Sequence, residues 1–215
     1  MTSQRDARSS LRKQMRRRRR SLTATQRRHA ALALASTITT QLLFRRNLRW
    51  GLYLANDGEI DPDVLAARLV RCRRQLFLPV LHPVHHGRLC FARFYPGMPM
   101  MRNRFGISEP APPLLTVPLW TLSTICVPLV AFDEQGNRLG MGGGFYDRSF
   151  GRFSKPSGAA TTGLVSRPLK LGIAFEFQGV ERLPSEPWDI PLDAIASDRR
   201  YQSTASSTTV ASEQP

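Results

Sequence analysis

Residues 138–148 read RLGMGGGFYDR, and this stretch places glycine at positions 140, 142, 143 and 144. Glycine permits positive φ angles and close approach of the backbone, so that successive N–H groups can converge on an anion. We expect a short helix to begin near Gly144, where the positive end of its dipole adds to that attraction. The residues alone leave two interpretations open: a phosphate-binding loop, and a glycine-rich turn without a ligand.

The chain before this loop indicates where in the fold the loop lies. Residues 125–133, ICVPLVAFD, have the continuous apolar character of a strand buried on both faces. Loops after the carboxyl ends of such strands are the usual ligand-binding positions in α/β sheets. The loop is not a GxxxxGK[ST] phosphate loop, since it has no lysine, and no acid follows at the distance that a dinucleotide fingerprint requires. Asp147 would either hold Mg²⁺ against nucleotide phosphates or only complement the helix dipole.

Working outward from the loop, the hydrophobic pattern alternates helices with buried strands. Helices are predicted within the first 42 residues, with a cap at Thr23 or Thr25, and again after Asp61, an expected N-cap followed by Pro62 at the first helical position. Strands are predicted at residues 49–55, 75–81, 89–95, 125–133, 170–175 and 194–197, the second and third as an antiparallel pair. The stretches 96–118 and 154–163 are expected to be loops, the second of them flexible. This alternation predicts an α/β fold, an open three-layer sandwich with a mostly parallel central sheet and helices on both faces.

Composition predicts a single domain over residues 1–200. The chain has 215 residues, of which 41% are hydrophobic, enough for a full core, and residues 201–215 form a Ser/Thr-rich tail that we expect to be disordered. No apolar run is long enough to span a membrane, and the N-terminus lacks the apolar segment of a secretory signal. Cys72, Cys90 and Cys126 form no close pair and no metal-type spacing, so a reducing cytoplasm is the expected location.

The positive charge is concentrated at the N-terminus. The first 30 residues hold eleven Lys or Arg and one acid, which gives +10 of the chain's net +15. The five arginines at 16–20 could bind phosphate backbones by counterion release, form a solvated helix surface, or grip a small anion. An arginine-rich start also occurs in organelle transit peptides. Because the rest of the chain is only mildly basic, a nucleic-acid-binding or regulatory protein that uses the arginine run on the same fold is the alternative function rather than the main one.

Residues 127–148, VPLVAFDEQGNRLGMGGGFYDR, resemble the signature of the 5-formyltetrahydrofolate cyclo-ligase family, bacterial type. Four other segments agree with the family in order and spacing. LRKQMRRRRRSLTATQR (11–27) resembles its basic N-terminal helix, and LYLANDGEID (52–61) resembles its substrate segment. FGISEP (105–110) and LPSEPWDIPLD (183–193) resemble a substrate-side loop and the closing motif. The resemblance extends from about residue 8 to residue 197.

The resemblance implies a reaction in which ATP and Mg²⁺ drive conversion of 5-formyltetrahydrofolate to 5,10-methenyltetrahydrofolate, with release of ADP and phosphate. A formamide oxygen is a poor leaving group, so the γ-phosphoryl is transferred onto it to give an iminium phosphate. N10 then attacks, the ring closes and phosphate leaves. Such a transfer depends on positioning and charge neutralisation more than on acid–base residues. The expected partners are therefore small molecules, reduced folate and ATP, and the protein is expected to be a monomer.

The resemblance also implies a role for particular residues. Its ATP-binding positions are Arg8, Arg12, Arg138, Leu139, Gly140, Met141, Gly142, Gly143, Gly144, Phe145 and Tyr146. Its folate-binding positions are Leu54 and Glu59, together with Met141, Gly142, Gly143, Gly144 and Phe145. The magnesium-associated acids are Asp147 and Asp189, and the residues assigned to the reaction itself are Arg138, Tyr146 and Asp147. Glu59 either faces the paired N–H donors of the pterin or complements a helix dipole.

The chain departs from the family pattern at four positions. Arg8 stands where the family usually has lysine, and it keeps the charge but not the compact ammonium. Gly143 stands where some members have lysine, so Arg138 or Arg148 must meet part of the phosphate charge. Phe145 replaces the commoner tyrosine, and Pro62 replaces threonine, a change that the first helical position tolerates.

Two other groups of side chains invite a functional interpretation. His82, His85 and His86 are metal-ligand types, but they fall in a predicted hairpin loop without a nearby cysteine or acid in sequence, so we expect no zinc site. A surface for the pterin could come from nearby aromatic and methionine side chains, which more often belong to a core: Phe91, Phe94, Tyr95, Phe105, Met98, Met100 and Met101.

Overall fold

The computed structural model describes residues 4–151 and 167–204. The helices in these ranges are α1 Gln4–Arg20, α2 Ala24–Thr39, α3 Leu42–Arg46, α4 Asp63–Arg71 and α5 Phe145–Phe150. The first six strands are β1 Arg49–Gly51, β2 Gln75–Leu81, β3 Leu89–Phe94, β4 Met100–Arg102, β5 Ser108–Pro110 and β6 Thr116–Val117. The other six are β7 Thr124–Pro128, β8 Ala131–Phe132, β9 Arg138–Leu139, β10 Leu169–Ala174, β11 Ala194–Ser197 and β12 Tyr201–Ser203.

One sheet of eight strands organises the fold, in the order β12-β11-β10-β7-β1-β2-β3-β6. The five central strands, β11 to β2 in that order, are parallel, with Trp50 of β1 opposite Leu76 of β2 and Thr124 of β7. Strands β12, β3 and β6 are each antiparallel to the strand beside them, at the two ends of the sheet. The predicted antiparallel pairing of residues 75–81 with 89–95 is confirmed, as is the mostly parallel α/β sheet.

Alternate side chains of the central strands enter two separate cores. On one face, Leu76 of β2 and Cys126 of β7 pack in the same cluster as Leu34 of α2 and Leu69 of α4. All four are buried. The period of two in the strands and of about four in the helices directs these apolar residues to a common layer.

The second core lies on the opposite face of the sheet. Phe77 of β2, Ile125 and Val127 of β7 and Ile195 of β11 pack there with Phe150 of α5. This core places α5, and with it the end of the glycine-rich loop, against the sheet. Helices therefore cover both faces, as the sequence predicts.

Helix α1 packs beside the sheet, on the hairpin that precedes the glycine-rich loop. Its Met15 is buried against Val130, Ala131 and Leu139. Helix α2 then begins after Thr23, whose hydroxyl accepts from the N–H of Gln26 while the Gln26 side chain accepts from the N–H of Thr23. Of the two caps that the sequence allowed, the structure uses Thr23. Met15 anchors α1 here, and Arg12 and Arg19 of the same helix contact the glycine-rich loop.

The apolar stretch 125–133 is not a single strand, which corrects the sequence prediction. Strand β7 ends at Pro128, and β8 pairs antiparallel with β9 in a separate hairpin. Asp133 lies fully buried at its turn and accepts from the N–H groups of Gln135 and Asn137 at 3.1 and 2.9 Å. Both strands are buried, so the apolar pattern shows no break between them. The glycine-rich loop consequently follows β9 rather than the sheet strand.

Three other element boundaries also differ from the prediction. Strand β1 ends at Gly51 instead of residue 55, and residues 96–118 contain the short strands β4, β5 and β6. Helix α4 begins at Asp63, with Pro62 at the N-cap position. Asp61 lies two residues before the helix, where its Oδ1 accepts from the N–H of Asp63 at 3.0 Å.

The predicted disordered tail is wrong at its first residues. Tyr201–Ser203 form β12, which pairs with β11, and the N–H of Thr204 donates to Asp193 O at 3.1 Å. Backbone hydrogen bonds hold this polar edge strand, so no apolar pattern reveals it. Residues 205–215 and the predicted flexible loop at 154–163 lie outside the described residues. Among the helices that are described, none is long and apolar enough to cross a membrane.

Candidate active site

The glycine-rich loop connects β9 to α5, and its backbone needs glycine at two positions. Gly142 has a φ of 99° and Gly144 a φ of 60°, in the left-handed region where a side chain is strained. Gly144 is the N-cap of α5, which starts at Phe145 as predicted. Arg148 of α5 donates a hydrogen bond to Gly143 O and so helps to hold the loop in its conformation. The conformation of the glycine-rich loop therefore depends on the positive φ angles at these glycines, which the sequence pattern predicts.

Two arginines of α1 reach the loop and the segment near Asp189. Arg12 Nε donates to Gly140 O at 2.8 Å. Burial, together with the neighbouring charge of Arg8, lowers the pKa of Arg12. Arg8 donates through Nη1 and Nη2 to the two Asp189 oxygens at 2.6 and 3.3 Å, and to Pro184 O at 2.9 Å. Arg12 thus lies at the edge of the loop with a second cation nearby, where a bound anion would favour its charged form.

Asp147 and Asp189 lie in neighbouring segments, and each forms an ion pair. Arg138 Nη2 donates to Asp147 Oδ1 at 2.5 Å, and the N–H of Ile190 donates to the same oxygen at 3.1 Å. Arg138 also donates to Ile190 O, which fixes the residue after Asp189 against the loop. Asp189 Oδ2 accepts from Glu186 N at 2.9 Å in addition to Arg8.

The carboxylate of Asp147 is better placed to bind a hard cation than the carboxylate of Asp189. In the described part of the chain, the hydrogen bonds to Asp147 fall on Oδ1, which leaves Oδ2 for a ligand. Both oxygens of Asp189 are already occupied by Arg8. Mg²⁺ in nucleotide sites commonly takes one or two carboxylates, with phosphates and water completing the shell. The described residues contain no group of three or more metal-ligand side chains, so such an ion would depend on the phosphates.

Glu59 lies in the loop after β1, in a buried environment. Its side chain is 12% exposed and lies 3.8 Å from Arg19 Nη1, and its Oε2 accepts from the N–H of Asn56 at 3.1 Å. Burial raises the pKa of Glu59 to about 7, although the Asn56 N–H and the Arg19 charge both oppose that rise. Such a carboxylate resembles a ligand-binding group more than an exposed helix cap.

Asp57, two residues before Glu59, gathers three arginines of the basic helix. It accepts from Arg16 Nε at 2.6 Å and from Arg19 Nη2 at 2.9 Å, and it also pairs with Arg20. Partial burial opposes its ionisation, but the hydrogen bonds from Arg16 and Arg20 outweigh this and lower its pKa to about 2. Four of the five arginines in the run therefore make contacts within the molecule: besides these three, Arg18 lies over the ring of Phe177 at 4.3 Å.

The aromatic residues of the loop complete the region around Glu59. The Tyr146 hydroxyl is buried and has no hydrogen-bond partner among the described residues. Its pKa is raised, first by burial and then by the charge of Glu59, which lies nearby. Phe145 meets the edge of Phe105 at a ring-centroid distance of 5.6 Å. Leu54, by contrast, packs against the core beneath the α2–α4 layer.

Comparison with known proteins identifies the family of this chain. The sequence model of the 5-formyltetrahydrofolate cyclo-ligase family matches residues 4–198. The chain belongs to the 5-formyltetrahydrofolate cyclo-ligase family. It is accordingly an enzyme, a ligase. A relative from Haemophilus influenzae, named 5-formyltetrahydrofolate cyclo-ligase, is 39% identical over 86% of this chain and 94% of its own length. Its namesake from Escherichia coli K12 is 38% identical, over 85% and 96%.

Solved structures agree with the cyclo-ligase fold. The 5,10-methenyltetrahydrofolate synthetase of Aquifex aeolicus superimposes with a TM-score of 0.75 at 30% identity, covering 93% of both chains. The 5,10-methenyltetrahydrofolate synthetase of Mycoplasma pneumoniae superimposes with a TM-score of 0.67 at 21% identity, over 89% of this chain and 99% of that one. The second likeness supports the fold alone.

Several residues that the sequence singled out, in the signature or by their type, lie away from the glycine-rich loop. Asp133 is a buried turn residue that also accepts from the N–H of Leu183 at 3.0 Å. His82 Nδ1 accepts from the N–H groups of Val84 and His85 in the β2–β3 hairpin. Phe91 is fully buried in the core, whereas Phe105 reaches the glycine-rich loop and Met100 and Met101 are exposed on β4.

The residue that the sequence analysis missed is Arg19. It sits in a run of five arginines that differ in no local feature, and the structure buries it completely. A helical periodicity count was the available signal, because Arg8, Met15 and Arg19 recur on one face of α1 and all are buried. The arginine content of the run obscured that signal.

Proposed function

We propose that this cyclo-ligase uses ATP and Mg²⁺ to convert 5-formyltetrahydrofolate to 5,10-methenyltetrahydrofolate, with release of ADP and phosphate. One observation carries the proposal beyond family membership. The glycine-rich loop touches two charged groups at once: Gly140 O accepts from Arg12, and Met141 Sδ lies 3.9 Å from Arg19, which pairs with Glu59. A loop in that position can bring phosphates and a second, Glu59-bound substrate together.

On the phosphate side, the chain supplies N–H groups and guanidinium groups. The backbone N–H groups between Gly142 and Phe145 bind the phosphates, and Arg12 and Arg138 neutralise their charge. Bound Mg²⁺ would neutralise further phosphate charge, with Asp147 Oδ2 as the protein ligand. Asp189 would join it only by releasing Arg8. This arrangement aligns the γ-phosphoryl group for in-line transfer.

On the folate side, Glu59 accepts the paired N–H donors of the pterin, and the ring packs near Phe145. The formyl oxygen attacks the γ-phosphorus, and the bond to ADP breaks. N10 then attacks the activated formyl carbon and loses its proton, and the carbon–oxygen bond breaks to release phosphate. Tyr146 donates its hydroxyl to the bound substrate, because a buried hydroxyl that has no partner among the described residues is unfavourable.

The decisive experiment follows product formation. Purified chain is incubated with 5-formyltetrahydrofolate and Mg-ATP, and the absorbance of the conjugated methenyl product is recorded while ADP and phosphate are assayed. We expect product only when both substrates are present, with one ADP and one phosphate per product. Replacing ATP with a non-hydrolysable analogue is the control and should give none. A folded chain that forms no product would contradict the proposal.

We also propose that the enzyme is a cytoplasmic monomer, which sizing chromatography and cell fractionation would test.

A further inference from the structure

Arg19 is unusual because it is a fully buried arginine that contacts four separate groups. Its Nη2 donates to Asp57 Oδ2 at 2.9 Å, and its Nη1 donates to Leu129 O at 3.2 Å and lies 3.8 Å from Glu59 Oε1. Met141 Sδ lies 3.9 Å from Nη2. Buried arginines are rare unless they are paired, and this one joins α1, the Glu59 loop and the glycine-rich loop.

We propose that Arg19 is a positioning residue for the reaction: it holds the Glu59 carboxylate in place and ties it to the glycine-rich loop through Met141. This inference rests on the proposed folate-binding role of Glu59. Because Arg19 is fully buried, it acts on a substrate only through Glu59 and Met141, which both lie within 4 Å of its guanidinium. Met141 is 47% exposed, whereas Arg19 is 0% exposed.

The fixed geometry of a guanidinium explains why an arginine occupies this position. Its planar fork presents donors in two directions, so one side chain can serve Asp57 and Glu59 together. Asp57 does not depend on Arg19 alone, because Arg16 and Arg20 also bind it. Glu59, in contrast, forms its ion pair within the described residues with Arg19. Removing Arg19 should therefore affect Glu59 more than Asp57.

The charges around Glu59 predict a measurable effect on pH dependence. Arg19 from α1 favours its ionised form, whereas burial and Asp57 of its own loop disfavour that form. Tyr53, and Tyr146 of α5, face it as neutral phenols whose pKa values are raised. Glu59 must be ionised to accept two N–H donors, so folate binding should weaken as the pH falls through its pKa. Without Arg19 that weakening should begin at a higher pH.

The test compares Arg19→Gln and Arg19→Lys with Arg20→Gln as the matched control. Arg20 also pairs with Asp57, but its side chain is 59% exposed and does not reach Glu59. For Arg19→Gln we expect the KM for 5-formyltetrahydrofolate to rise roughly 10-fold or more, the effect of losing a hydrogen-bonded charge partner. The KM for ATP should stay within about twofold. The acid limb of kcat/KM for folate should move up by roughly half a pH unit or more.

The conservative variant and the control decide the interpretation. Arg19→Lys keeps the charge but loses the fork, so the acid limb should stay near its wild-type position while the KM for folate still rises. Arg20→Gln should leave both unchanged. Variants that melt at a lower temperature but keep the wild-type folate KM and pH profile would overturn the proposal. A shift of equal size in Arg20→Gln would also overturn it, since the effect would then belong to the Asp57 ion pairs.

A further variant covers the case in which neither Arg19 variant folds. Asp57→Asn suits the positive φ of 52° at this position, and it removes the negative charge that competes with Glu59 for Arg19. The acid limb should then move to lower pH, and an unchanged limb would overturn the proposal. Failure of the proposed function is distinguishable from all these outcomes, because the wild-type chain would then form no methenyl product. Calorimetric titration with 5-formyltetrahydrofolate would in that case show no binding for any variant to change.

Discussion

Glu59 shows how a residue placed to bind a ligand can lower the folding stability of the ligand-free chain. Its ordinary pKa of 4.5 applies in the unfolded chain, and burial raises it to about 7 in the folded one. Between these values the folded state holds a proton that the unfolded state has released. The stability that protonated Glu59 contributes is thus fully present below pH 4.5 and is lost as the pH rises through 7. The carboxylate is an unfavourable buried charge until a ligand meets it.

Replacing Glu59 by glutamine should therefore stabilise the ligand-free chain at alkaline pH. At about pH 8 we expect Glu59→Gln to raise the free energy of unfolding by on the order of 1 to 3 kcal/mol, and at about pH 4 to leave it unchanged. Denaturant unfolding at the two pH values measures this. Folate binding should weaken in the same variant. A variant that is less stable than wild type at pH 8 would show that the ion pair with Arg19 outweighs the burial of Glu59.

Asp147 combines a structural role, its contacts with Arg138 and Ile190, with the proposed binding of Mg²⁺. Asp147→Asn keeps an oxygen that can accept from Arg138 and from the N–H of Ile190, so the fold should survive. The loss of charge removes the group that a hard cation prefers, and we expect turnover to fall by on the order of 10²-fold. Steady-state assays over a range of Mg²⁺ concentrations measure this, and high Mg²⁺ should restore part of the rate. Near-wild-type turnover at low Mg²⁺ would leave Asp147 with only its ion pair to Arg138.

At the scale of an element, α1 acts through the face that it turns toward the loop. Met15 buries this face against the β8–β9 hairpin, and Arg12 from the same face reaches Gly140 O. The exposed face carries arginines without such contacts to the loop, of which Arg17 is one. The helix is therefore a part of the site and not a separate basic arm.

Removing Arg12 should separate the two substrates kinetically. We expect Arg12→Ala to raise the KM for ATP by roughly 10-fold, the effect of losing one charged phosphate contact, and to change the KM for folate much less. Arg17→Ala on the exposed face is the matched control and should change neither. Equal rises for both substrates in Arg12→Ala would mean that the residue only supports the loop.

The edge strand β12 makes the C-terminal boundary of the fold testable. It pairs with β11, and Gln202 Nε2 donates to Glu134 O at 3.1 Å on the β8–β9 hairpin. A chain that ends at residue 200 should lose about 2 kcal/mol or more of stability, and its melting temperature should fall by roughly 4 to 8 °C. A chain that ends at residue 204 keeps the strand and serves as the control. Equal melting temperatures of the two chains would show that β12 contributes nothing.

For the whole molecule, the eleven Lys and Arg of the first 30 residues overstate the number of cations available to a nucleic acid. Arg16, Arg19 and Arg20 share the one negative charge of Asp57, and Arg8 pairs with Asp189, so two of these four positive charges are neutralised within the molecule. Charges that are paired inside the molecule release few counterions on binding to a polyanion. This argues against the alternative function in which the arginine run binds nucleic acid.

Binding to DNA should accordingly be weak and nonspecific. In fluorescence anisotropy with a labelled 20-base-pair duplex at about 150 mM salt, we expect a Kd of roughly 10⁻⁵ M or weaker, without preference for sequence. The duplex at micromolar concentration should not inhibit formation of the methenyl product. A Kd in the nanomolar range with a sequence preference would support the alternative function instead.

Local features of the sequence determined the glycine-rich loop, the helix at Phe145 and most of the strands. Each depends on neighbouring residues: the positive φ angles at Gly142 and Gly144 require glycine, and alternation or continuous burial marks a strand. The family resemblance added Arg12 beside the loop. The individual ligand roles stay predictions that the experiments above test, and the single-domain organisation stays a prediction from composition.

Only the tertiary structure decided which charged groups meet. Asp57 and Arg19 are 38 residues apart, and Arg8 and Asp189 are 181 apart, and no local pattern encodes such a pairing. The break between β7 and β8 was also decided by the tertiary structure, because both strands are buried and the apolar pattern continues through the break. The pairing of β12 depends on backbone hydrogen bonds, which leave no pattern in the sequence. Identical residues in one arginine run receive different environments because packing of α1 turns some inward and some outward. The positive charge of the arginine run determines that it binds carboxylates or other anions, and only the fold determines which arginine binds which carboxylate.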